Sequence, residues 1–182
     1  MRAQLLATIG CLTLIAGRAP GQEQEIEVGL ANNTIVLPIG VLVEAENTAT
    51  RIYAGIGVKL KWSNNRKAKI RMQIDNHTPA TVHPGAMGYA LPYGGRGAGI
   101  HILLDRISER LSTNRHSTAI LLGHVMAHEL GHLLEGFSHH AEPGLMKAHW
   151  DEGESLRMRS QPLSFSSDDV AFIRNGVARW LR

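Results

Sequence analysis

His124-Val125-Met126-Ala127-His128-Glu129-Leu130-Gly131-His132-Leu133-Leu134-Glu135-Gly136-Phe137-Ser138-His139-His140 is the stretch from which the fold of this chain is read. Within it His128, Glu129 and His132 spell H-E-x-x-H. On a helix, His128 and His132 are four residues apart and share a face, with Cβ atoms roughly 5–6 Å apart. Two imidazoles so placed can converge on one Zn²⁺ at about 2.0–2.1 Å from each ring nitrogen. Glu129 is rotated to the edge of that site, where it can take a proton from a water without binding the metal itself. Leu121, Leu122, Val125, Met126, Leu130, Leu133 and Leu134 surround the helix with apolar side chains. A helix apolar on most sides is a buried one. Polar groups on a buried helix need partners, because an unpaired one is costly, and a metal is the most economical partner here.

Gly136 is placed to end the helix, since glycine accepts the left-handed backbone of a helix C-terminus. The chain can then return and bring His139 or His140 to the open side of the metal, completing three protein ligands plus water. His124 also lies on the face of His128 and His132. It stands two turns, about 12 Å, from His132 along the axis, so one ion cannot hold both. His124 is expected to be a helix-face residue hydrogen-bonded nearby, or a group that supports the metal ligands without binding the ion.

This stretch resembles the metzincin metallopeptidases, whose motif is H-E-x-x-H-x-x-G-x-x-H followed by a turn carrying a methionine. The resemblance rests on His128, Glu129, His132, the glycine, a third histidine and Gly144-Leu145-Met146, which looks like the Met-turn. Gly136 sits one residue later than that motif requires, and Ser138 occupies the expected third-ligand position. The chain is also similar to secreted zinc-peptidase-like proteins of soil bacteria. Their pattern is A-H-E-[LI]-G-H-L-L-L-G, then H-S, then G-[IL]-M. The likeness extends to Arg51-Ile52-Tyr53-Ala54-Gly55-Ile56-Gly57-Val58 and the strand ending at Trp62. Counting from the glycine as those proteins do selects His140 as third ligand; counting as metzincins do selects His139. His140 is preferred, with His139 the alternative. The resemblance implies that Met146 packs beneath the metal without binding it.

The 182 residues suffice for one domain with its own core. Arg2 followed by the short apolar run Leu5 to Ala16 reads as a signal peptide, too short to span a bilayer. The expected division is a signal over 1–21 and a single zincin-like domain over 22–182, secreted or periplasmic. The one cysteine, Cys11, falls within the signal, which leaves no disulfide framework. Setting aside Arg2 and Arg18 reduces the formal charge of +3 to about +1, so electrostatics give no case for nucleic-acid binding. No later run is long enough to cross a membrane, and a monomer is expected.

Along the chain, Glu25 to Leu30 alternates as a strand, and Asn32-Asn33 marks a turn. Pro38 to Tyr53 is predicted helical, with Leu42, Ala45, Ala49 and Ile52 at helical spacing; Gly55 and Gly57 end it. Val58–Trp62 and Ala68–Ile74 alternate as strands. After a polar loop from Asp75 to Gly85, Gly88–Ala90 and Gly99–Leu104 are strands flanking a glycine-rich connection. A short helix is expected from Asp105 to Leu111, broken at Ser112-Thr113-Asn114, with Ser117 or Thr118 capping the metal helix. Ser166-Ser167-Asp168-Asp169 starts a last helix, whose Val170, Ile173 and Val177 face the core. The fold class is therefore α+β and zincin-like. A small mixed sheet packs on a backing helix and the H-E-x-x-H helix, with a helix at the C-terminus.

The leading function is hydrolysis of peptide bonds in a protein or peptide substrate. Zn²⁺ would be held by His128, His132 and His140, with Glu129 as general base. Tyr89 or Tyr93 is a candidate donor to the oxyanion, and His149 a further histidine near the metal. The rival is a non-catalytic envelope protein in which zinc closed by four ligands, His139 included, staples the fold.

Overall fold

The computed structural model describes residues 24–31, 37–94, 97–110 and 114–181, of which Pro92, Tyr93, Gly94, Gly97 and Arg110 are described in backbone only. The expected signal segment with Cys11, the expected turn at Asn32-Asn33 and the expected break at Ser112-Thr113 lie outside the described residues.

The alternating pattern from Glu25 to Leu30 produces β1 (Gln24–Leu30), and the chain then passes through α1 (Ile39–Ala54) to β2 (Val58–Ser63). Parallel neighbours need such a crossover, and β1 and β2 are parallel neighbours. β3 (Ile70–Asp75) lies parallel on the other side of β1. β4 (Gly88–Gly94) and β5 (Gly97–Leu103) form an antiparallel pair, with β5 parallel to β3. The order is β2-β1-β3-β5-β4, so the one antiparallel strand sits at an edge. Val28, Ile70, Met72, Ile100 and Ile102 are buried in the sheet.

α2 (Leu104–Arg110) follows β5 without a break, taking Leu104 out of the expected strand, and β3 begins at Ile70, two residues later than the alternation suggested. α3 (Arg115–Glu135) is the H-E-x-x-H helix, and every residue from Ala119 to Glu135 except His132 is buried. Its cap is Asn114, not Ser117 or Thr118. The Asn114 side chain accepts from the backbone N–H groups of His116 and Ser117, so the asparagine that closes the expected helix break starts the next helix. α1 backs α3, and the buried Tyr53 hydroxyl donates to the Ala127 carbonyl, 3.1 Å away.

Gly136 ends α3 at φ 84°, where its N–H bonds back to the His132 carbonyl. After the turn at 144–146 comes α4 (Glu152–Arg157), a short helix that the sequence reading did not anticipate; Asp151 and Glu154 close a capping box on it. α5 (Ser167–Trp180) starts at Ser166 with a capping box to Asp169 and buries Ile173 and Val177. It crosses α3 so closely that a Cβ on Gly176 would stand 1.7 Å from the Leu134 carbonyl oxygen. Among the described residues no helix is long and apolar enough to cross a membrane.

Candidate metal centre

α3 carries His128 and His132 on one face, and the turn after Gly136 returns the chain so that His140 joins them. One ring nitrogen from each of the three lies within 4.8 Å of the other two. The Nε2 atoms of His128 and His132 are 2.9 Å apart. The His140 ring centroid lies 5.6 Å from that of His128 and 4.9 Å from that of His132.

The tautomer of His128 follows from its surroundings. Its Nδ1 is 2.9 Å from the Leu145 carbonyl oxygen, which can only accept, so Nδ1 carries the hydrogen and Nε2 turns a lone pair toward the other two rings. Trp150 donates Nε1–H to the same carbonyl at 3.2 Å, and its ring meets His128 edge-on at 5.6 Å. The backbone of the 144–146 turn thus orients the first histidine. Burial, reinforced by the neighbouring His140, lowers His128 to about 4 despite the Leu145 bond. Burial, with His128 and His140 beside it, takes His132 to about 3. His140 shifts down for the same first reason, desolvation. Three neutral imidazoles converging on one point fit a zinc ion by donor type and by number.

Glu129 is buried beside this group, and burial pushes its carboxyl up to about 8. Met146 is wholly buried under α3 against Gly131, where a Cβ would stand 2.8 Å from its Sδ. A cleft of about 570 Å³ opens in front; His83, Gly88, Tyr89, Glu129, His149 and Trp150 are among the residues that line it.

The other histidines are placed elsewhere. His124 satisfies both ring nitrogens away from that group: Nδ1 is 2.7 Å from the Ile120 carbonyl, and Nε2 accepts the Leu163 N–H at 3.1 Å. His139 turns away from the three-histidine group toward Glu135 and Asp169, at 4.0 and 3.8 Å. His149 lines the cleft without joining the group that gathers His128, His132 and His140. Tyr89 stacks on His101 at 4.7 Å, and His101 in turn meets Asp75 at 2.7 Å. The Tyr93 side chain lies outside the described residues. Sequence reading passed over Trp150 and His83 because neither belongs to a spaced motif.

In sequence the chain matches no family model and no curated protein. Among solved structures it is similar to archaemetzincin from Methanopyrus kandleri, with a TM-score of 0.56 over 88% of this chain and 99% of that one at 12% identity. The fold is therefore zincin-like, with the mixed sheet and helices expected from the sequence.

Proposed function

We propose that this chain is a zinc-dependent metallopeptidase, with His128, His132 and His140 as metal ligands and Glu129 as general base. The observation that carries the reading is the convergence of three neutral imidazoles on one point at the wall of a cleft, with a buried carboxyl next to them. Zinc held there would supply a Lewis acid for the scissile carbonyl and a water acidic enough to attack near neutral pH. Glu129, buried beside the ligands, would accept that water's proton and hand it to the leaving amine. Gly88 and Ala90 belong to the edge strand β4, next to α3. An extended peptide adding to that edge would run across the cleft and present its carbonyl groups to the centre. The likeness to secreted bacterial zinc-peptidase-like proteins and the charge-then-apolar start of the chain support export from the cytoplasm.

A zinc that merely staples the fold is expected to have a fourth protein ligand. The residue suggested for that role, His139, faces Glu135 and Asp169 instead. The test is Glu129→Gln, assayed for zinc content and for cleavage of a peptide library. Retained zinc with cleavage reduced by roughly a thousandfold or more supports the assignment, in line with the loss of a group central to proton transfer. Undiminished cleavage overturns it.

A further inference from the structure

We propose that Glu135, His139 and Asp169 form a second divalent-cation site, separate from the three-histidine centre. Glu135 is the last residue of α3, Asp169 lies in the first turn of α5, and His139 lies on the loop between Gly136 and His140. One donor atom from each lies within 4.8 Å of the other two. The Glu135 and Asp169 side chains have no solvent exposure. Both Glu135 carboxylate oxygens, Asp169 Oδ1 and His139 Nδ1 are buried without a hydrogen-bond partner.

Two buried carboxyl groups side by side are costly unless something positive lies between them. His139 Nδ1 stands 4.0 Å from Glu135 Oε2 and 3.8 Å from Asp169 Oδ1, too far for a hydrogen bond to either. Such gaps suit a cation sitting among the donors, since ligands about 2.0–2.3 Å from one ion stand roughly 3–4 Å apart. Arg179, the nearby cation, spends its Nη2 on the backbone carbonyls of Leu134 and Glu135.

The donor set decides the class of ion. One imidazole with two carboxylates suits zinc or a similar divalent transition metal better than calcium, which gathers oxygens alone. Asp169 can offer one oxygen, because Oδ2 accepts the Ser166 N–H at 2.9 Å in the α5 capping box. Glu135 can offer both. His139 is partly exposed, so water can complete the shell from its side. The ion would tie the end of α3, the loop that delivers His140 and the start of α5 into one unit.

The experiment measures zinc bound per chain after dialysis against chelator and titration with zinc, for the parent, Glu135→Gln, His139→Asn and His132→Ala. Glu135→Gln and His139→Asn should each lose one equivalent relative to the parent, with circular dichroism unchanged. His132→Ala should retain one equivalent, and adding Glu135→Gln to it should remove that one. These differences hold whether or not the chain cleaves peptides, so this proposal and the peptidase reading fail separately. If both Glu135→Gln and His139→Asn bind as much zinc as the parent, or if His132→Ala binds none while folded, the second site does not exist.

Discussion

Gly88 of the edge strand lies directly against Glu129 of α3: a Cβ at position 88 would stand 2.7 Å from Glu129 Cγ and 2.9 Å from its Oε1. The bare backbone of β4 is what leaves the carboxyl its place. Gly88→Ala should therefore displace Glu129 without touching the three histidines. We expect zinc content and melting temperature close to the parent, with kcat/KM lower by about ten- to a hundredfold, because small misplacements of a reacting group are costly. Parental kcat/KM in a folded variant would show that Glu129 tolerates the shift.

Gly176→Ala tests the crossing of α5 on α3. The added methyl would meet the Leu134 carbonyl oxygen, which is rigid backbone, at 1.7 Å. α5 must then move off α3, and we expect a loss of roughly 3 kcal/mol or more in urea unfolding, at the upper end of overpacking effects. A loss below about 1 kcal/mol would mean that the helices separate easily.

Gly131→Ala should act on the floor beneath the three-histidine group. The methyl would stand 2.8 Å from Met146 Sδ, the movable end of a flexible side chain, so the expected cost is smaller, about 1–2 kcal/mol. Displacing Met146 would also shift the turn whose Leu145 carbonyl holds His128, and zinc affinity should fall with stability. A chelator competition assay on the folded variant reads the second effect.

His124 predicts a pH dependence. Burial, aided by the charge of Arg51, lowers it from 6.5 to about 4 against the opposing bond to the Ile120 carbonyl. Between those values the unfolded chain binds the proton and the folded one does not, so stability rises with pH across that window. The contribution is full above pH 6.5 and is lost as pH falls toward 4, amounting to about 3 kcal/mol at most. His124→Gln, which keeps an acceptor for the Leu163 N–H, should flatten the curve of stability against pH between 6.5 and 4. An unchanged slope would remove His124 as the cause.

Trp150 offers an optical readout. Its indole lies edge-on to His128 and shares the Leu145 carbonyl with it. Zinc binding at His128 should change tryptophan emission, and Trp150→Phe should abolish most of that change, with zinc affinity reduced less than tenfold. A full response in the variant would assign the signal to Trp62 or Trp180.

Most elements were legible because their signals are local. Apolar residues at spacing two announced β1, β2 and β3, and the all-round apolar surface of residues 121–134 announced a buried α3. Gly136 and Ser166 marked a helix end and a helix start through their own backbone and side-chain chemistry. Asn114 is ambiguous in sequence, because an asparagine closing a polar run before Arg115 can end one helix or cap the next. Only the bond it makes to His116 and Ser117 tells which.

That two imidazoles and a carboxyl share a buried helix follows from residue spacing alone, because four residues make roughly one helical turn and leucines cover the other faces. The sequence left open which histidine of the pair 139–140 joins them, since adjacent residues on a loop can point either way. Tertiary structure decided that: α5 brings Asp169 beside Glu135, His139 turns to those two carboxyl groups, and His140 is left facing His128 and His132. The strand order, the contact of Gly88 with Glu129 and the hold of Leu145 on His128 are likewise tertiary. Each joins residues far apart in the chain, where no spacing rule reaches.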